Sequence, residues 1–100
     1  MIIEWLFRAD AERAAYVMWV ADSGAPLAAA EQDARIDRAV DLLAEHPKSG
    51  RSGRKQNTRE LVITGTPLIA VYRVRPRLNR IEIIRLLHGA QRWPKDSVAG

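Results

Sequence analysis

A chain of 100 residues, 47% hydrophobic and 28% charged, is sized for one folded domain over 1–100 with 93–100 as a tail, and its composition excludes disordered and collagen-like polymers. It holds no cysteine, which removes disulfides, thiolate metal sites and thiol nucleophiles and fits a cytoplasmic location, and no apolar stretch approaches the ~20 residues of a membrane span. The net charge of +4 divides unevenly: residues 1–46 carry 4 basic and 9 acidic side chains, a net of −5, whereas residues 47–100 carry 12 and 3, a net of +9. The basic half suits a nucleic acid or an acidic protein as partner, against the plainer alternative of a solvated basic face.

Ile2, Ile3, Trp5, Leu6 and Phe7 crowd β-branched and aromatic side chains together, which predicts an N-terminal strand. Glu4, Arg8 and Asp10, so early in the chain, do not fit a signal peptide. Asp10 is expected to cap a helix in which Ala11, Ala14, Ala15, Met18 and Ala21 recur at helical spacing, and Ser23, Gly24 and Pro26 end it near Asp22. A second helix starts at Pro26 or Leu27, where proline is tolerated, and runs to about Glu45. Its apolar stripe is Ile36, Val40 and Leu43, backed by Ala30, Ala39 and Ala44, while Asp33, Asp37 and Asp41 form an acidic ridge on another face. The short connection makes the two helices an antiparallel hairpin, and Trp5 and Trp19 are expected in core or hairpin packing.

Residues 47–58, PKSGRSGRKQNT, contain no large apolar side chain and predict an exposed basic loop. Strands are expected over 59–63, 68–75 and 81–88, separated by turn signals at 64–67 and 76–80. In the middle strand Leu68, Ala70, Tyr72 and Val74 share one face and Ile69, Val71, Arg73 and Arg75 the other, so one end is cationic. Ile81, Ile83, Ile84, Leu86 and Leu87 are apolar on both faces, as in a central strand, and Gly89 to Gly100 shows no periodicity. The order is that of an α+β fold: N-terminal strand, antiparallel helix hairpin, then a three-stranded antiparallel meander, with the helices packed on one face of the sheet.

Three stretches, in this order and spacing, resemble toxins of the RelE/ParE superfamily over nearly the whole chain. Around residues 39–53 an aliphatic helix ends in AEHPKSGRSGR, similar to the helix-to-loop passage of ParE-type toxins. RELVITGTPLIAVYRV, 59–74, is similar to their strand, Gly-Thr-Pro turn and strand ending in Tyr-Arg-Val. IEIIRLLHGAQRWP, 81–94, is similar to their isoleucine-rich strand running into Leu-His-Gly-Ala and Trp-Pro. The resemblance implies a cytoplasmic toxin of a type II toxin–antitoxin system, neutralised by a cognate antitoxin that lies in the groove between hairpin and sheet. In the ParE branch, the nearer one, it implies binding and inhibition of DNA gyrase without chemistry by the toxin. In the RelE branch it implies cleavage of messenger RNA on the ribosome. The two branches share a fold, so fold alone does not choose between them.

Such cleavage needs a base or orienting cation for the 2′-hydroxyl, positive charge on the phosphate and an acid for the leaving oxygen, and Arg73, Arg85 and His88 are the candidates. Gly89 and Ala90 stand where much of the RelE branch has a tyrosine, and Pro67 and Leu68 where several members carry an arginine, so gyrase binding is the leading expectation and brings no catalytic residue. Target or nucleic-acid contact falls to Lys48, Arg51, Arg54 and Lys55 of the loop, to Arg73 and Arg75, and to Arg92 and Trp93 beyond the last strand. Trp93 either anchors the tail or meets a partner. A nonspecific nucleic-acid-binding module is a third reading, marked by steep salt dependence. His46 suits a helix end, the two histidines lack metal-ligand spacing, and Ser23, Ser49, Ser52 and Ser97 lie outside any nucleophile motif, so neither metal nor cofactor is expected.

Overall fold

The computed structural model describes residues 1–89. Ile2–Trp5 forms β1, and the last bond in its ladder runs from the Leu6 amide to the Ile83 carbonyl at 3.0 Å. There the strand loses its partner and the chain turns directly into α1, Phe7–Asp22. The helix therefore starts three residues before Asp10, which lies in its first turn and favours the dipole without acting as the cap. Phe7, expected in the strand, is instead 88% exposed at the head of the helix. Ser23 ends α1, and Gly24 takes the left-handed φ of 89° that reverses the chain. Helix α2, Pro26–Asp41, has its proline in the first turn, and Leu42–Ala44 continues it as a tighter 3₁₀ turn that buries Leu43.

One arginine ties the helices together. Arg13 Nε donates to Asp33 at 2.7 Å, a terminal nitrogen reaches Asp37 at 3.4 Å, and the guanidinium lies 4.9 Å from the Trp5 ring centroid. Two members of the acidic ridge thus serve the hairpin. The Tyr16 hydroxyl donates to Gln32 across the same interface. Trp19 departs from its expected packing: Ala9 and Val20 take the buried positions of α1, leaving Trp19 65% exposed with its ring 6.2 Å from that of Tyr16.

The sheet contains five strands in the order β1-β5-β4-β3-β2, where β2 is Arg51–Ser52, β3 Arg59–Val62, β4 Leu68–Arg75 and β5 Arg80–His88. The antiparallel meander is present, with two differences from expectation. The first strand joins it parallel to β5, pairing Ile2 with Arg80 through Trp5 with Ile83, so the sheet is mixed. The stretch 47–58 also adds a two-residue edge strand, where Arg51 pairs with Glu60 and Ser52 with Arg59. Flanked by β1 and β4, β5 is buried on both faces over most of its length.

Along β5, Tyr72 faces Ile83 and Val71 faces Arg85, so Ile84 is an extra residue, a β-bulge. Side chains alternate along a strand, and one inserted residue shifts that alternation. Ile81, Ile83 and Leu86 consequently all face the helices, alongside Leu68, Ala70 and Tyr72, while Arg85 turns to the opposite face. Ala9, Ile36, Val40 and Leu43 close this core from the helix side. Each fully buried aliphatic side chain in it contributes about 1.5–3 kcal/mol of transfer free energy. Among the described residues no helix is long and apolar enough to cross a membrane.

Candidate target-binding surface

The register of the strands places Arg73 opposite Glu82, Arg75 opposite Arg80, and Glu60 beside Val71 and Arg85 on the face of the sheet away from the helices. Charge gathers at the end of this face where β4 turns back through Pro76–Leu78. Glu82 there accepts from Arg73 Nε at 2.6 Å and from Arg75 at 3.3 Å, and Glu4 accepts from Arg80 at 3.0 Å. The Arg73 hydrogen bond outweighs burial and holds the Glu82 carboxyl below the ordinary glutamate range. Arg77, in the turn itself, is exposed.

The neighbouring stretch 47–58 is a built structure rather than a loose loop. The buried Tyr72 hydroxyl donates to the Pro47 carbonyl at 2.7 Å and accepts the Gly50 amide at 2.9 Å. Arg59 donates to the Gly50 carbonyl at 2.7 Å and more weakly to that of Lys48 at 3.3 Å. A side chain at Gly50 would bring its Cβ to 2.7 Å from the Tyr72 ring and hydroxyl, so the close approach requires glycine. Further on, the Gly53 amide donates to the Thr58 carbonyl at 2.8 Å and Asn57 takes a left-handed φ of 65°, closing the turn.

Glu60, 1% exposed, holds the middle of this stretch. It accepts from the Arg54 amide at 2.8 Å, from Arg54 Nε at 3.1 Å and from Arg51 at 3.2 Å. Burial by itself pushes this carboxyl upward, but the Arg54 amide and the two guanidinium groups more than offset it and leave the group below the ordinary range. Of the four loop cations predicted to meet a target, Arg51 and Arg54 are therefore committed to Glu60, and Lys48 and Lys55 are exposed residues. Arg73 and Arg75 are both present at the cationic end, bridged by Glu82. Arg92 and Trp93 lie outside the described residues.

Arg73, Arg85 and His88 are not brought together. Arg73 pairs with position 82 and His88 with Leu68 at the other end of the β4–β5 ladder, roughly 20 Å away at about 3.3 Å per residue. Arg85 lies between them, 5% exposed, with its guanidinium held by Glu12 at 2.7 Å. Glu12 also accepts the Leu86 amide at 3.0 Å, taking over an edge of β5 that β1 no longer covers. Among the described residues no group of three or more His, Asp or Glu side chains is placed to hold a metal ion.

The residues that sequence reading passed over are the organisers: Glu60, Tyr72, Arg59, Glu82 and Glu12. One signal for two of them was available. Glu60 and Glu82 are isolated acids on strands in the strongly basic half, where a buried carboxylate needs cationic partners.

Comparison with known proteins agrees with this architecture. Residues 3–93 match the family model of the ParE toxin of the parDE type II toxin–antitoxin system. Y4kP of Sinorhizobium fredii, named as a candidate toxin, is 49% identical over 70 residues, 70% of each chain. The fold is that of a chain from the chromosomal ParDE toxin–antitoxin system of P. aeruginosa, with a TM-score of 0.78 and 23% identity over 88% of this chain and 95% of that one. With the family pattern spanning the strands, the hairpin and the basic loop alike, the chain belongs to the ParE toxins of type II toxin–antitoxin systems.

Proposed function

We propose that the protein is a cytoplasmic toxin that arrests growth by binding and inhibiting DNA gyrase, and that a cognate antitoxin neutralises it. Membership of the ParE family supports the target. The observation that favours binding over catalysis is the dispersal of Arg73, Arg85 and His88 along the sheet, with Arg85 buried against Glu12, beside a cationic surface whose side chains are fixed by acids and carbonyls. A preorganised surface of this kind loses little side-chain entropy on association. The structural relative belongs to a ParDE toxin–antitoxin system, and the same kind of partner suits this chain. An acidic, partly disordered segment that folds into the groove between hairpin and sheet would mask the basic strands.

The test adds purified protein to gyrase, ATP and relaxed plasmid. Loss of supercoiling with accumulation of double-strand breaks, both relieved by the antitoxin, is the expected result. Unimpaired supercoiling at high molar excess overturns the reading.

A further inference from the structure

We propose that the outer face of α1 pairs with the same face of a second copy of this chain, antiparallel about a two-fold axis. The alanine and methionine stripe that marks α1 as a helix in the sequence does not enter the core. Ala9 and Val20 take the buried positions, whereas Ala11, Ala14 and Met18 are exposed in line with Phe7. The two large members of this line are well out in solvent, Phe7 at 88% and Met18 at 64%. Successive gaps of four, three and four residues separate Phe7, Ala11, Ala14 and Met18, which is the spacing of a seam between two helices.

The seam carries both halves of a contact. Ala14, Val17, Met18 and Ala21 occupy positions i, i+3, i+4 and i+7 and line a hollow on the outside of the hairpin, with Asp10 and Asp33 also at its wall. Four residues so placed form the hole into which a neighbouring helix inserts one side chain. Phe7 is a knob of that kind. It lies roughly 16 Å along the axis from the middle of the hole at 1.5 Å per residue, so it does not fill the hole of its own helix.

A second copy suits the seam because its pattern of large, small, small, large reads the same in both directions. In a two-fold interface, residue i meets j and j meets i. With the helices antiparallel, Phe7 enters the partner's hole beside the partner's Met18, an aromatic–sulfur contact, and receives the same in return. Ala11 then meets the partner's Ala14 at the centre, where small side chains let the helices approach. Charge points the same way. Arg8 in the first turn and Asp22 at the end of α1 are exposed, and each opposes the dipole of its own helix. An antiparallel copy brings its C-terminal end and Asp22 to Arg8, and its N-terminal end and Arg8 to Asp22, so both mismatches are relieved. An acidic antitoxin segment would instead meet the exposed Asp10 and Asp22. The cationic surface lies on the face of the sheet away from the helices, so pairing through α1 leaves it open in both copies.

Sedimentation velocity of the full-length protein over a concentration series tests the pairing, and a monomer–dimer equilibrium is expected. Phe7→Ser should weaken the dimer about tenfold or more, because symmetry removes the contact twice. Its melting curve at low concentration should match that of the unaltered protein, since Phe7 lies outside the core. Arg8→Glu and Asp22→Lys should each weaken association, and the double variant should restore it, a rescue that only an antiparallel neighbour produces. A monomer at every concentration overturns the proposal. A dimer that Phe7→Ser leaves intact overturns this face as the seam, and a double variant no tighter than the single ones overturns the antiparallel arrangement. Weakened antitoxin binding by Phe7→Ser, with no dimer of the unaltered protein, overturns the second copy as occupant and assigns the face to that partner.

Discussion

Glu60 and Glu82 are two of only three acidic residues in the chain after position 46, and each collects two arginines. Both carboxyls lie below their ordinary value of 4.5, so near that value the unfolded chain binds more protons than the folded one. Their contribution to stability is complete above this range and is lost as pH falls through the folded-state values. Urea midpoints should therefore drop in acid, and Glu60→Gln should be less stable at neutral pH by about 1–3 kcal/mol while losing less on acidification. An acid profile parallel to that of the unaltered protein would assign the effect elsewhere. Tyr72 makes a separate prediction: Tyr72→Phe strands the Gly50 amide and should cost about 1–2 kcal/mol in unfolding assays, with faster tryptic cleavage at Lys48 and Arg51. That Tyr72 faces inward was legible from alternation along its strand. Its role as a peg was not, because its hydroxyl partners are 22 and 25 residues away and local pattern carries no information at that distance.

Among the elements, the helix hairpin and the antiparallel meander were legible, whereas the start of α1, the docking of β1 and the edge strand β2 were not. The buried stripe of α2, its proline start and the glycine stop after α1 follow from local chemistry. The parallel docking of β1 and the two-residue β2 depend on partners that no window of sequence contains. The bulge at Ile84 was hidden for a different reason: in a strand apolar on both faces, an inserted residue leaves the hydrophobic pattern intact. Its importance can be measured. Deleting Ile84 closes the bulge with Arg85 directly after Ile83 and still opposite Val71, so the alternation of both faces is kept, but the local twist that sets the Arg85–Glu12 pair is lost and the melting temperature should fall further than on truncating the side chain alone. Ile84→Gly keeps the residue count and should preserve the cooperative transition at a lower melting temperature. Equal behaviour of the two variants would show that the side chain, not the insertion, matters.

For the whole molecule, the sign change between the halves was plain in the sequence, but how the basic half spends its charge was not. Much of it is neutralised internally by Glu4, Glu60, Glu82 and Glu12, so the surface field is weaker than counting suggests, and among the described residues Arg59 and Arg77 carry charge that no carboxylate pairs. Association with an acidic antitoxin segment should accordingly be steered by a compact patch. Its on-rate, measured by stopped flow, should fall as salt rises while the off-rate changes little, and charge-neutral Arg77→Gln should reduce the salt sensitivity.

The parallel pairing of β1 with β5 also sets a schedule for synthesis. Trp5 pairs with Ile83, so the first strand leaves the ribosome with its partner still to be made. At about 5–20 residues per second the interval is roughly 4–15 s, during which the hairpin can form but the sheet cannot close. A nascent chain therefore has no finished cationic face until nearly all of the described sequence has been translated.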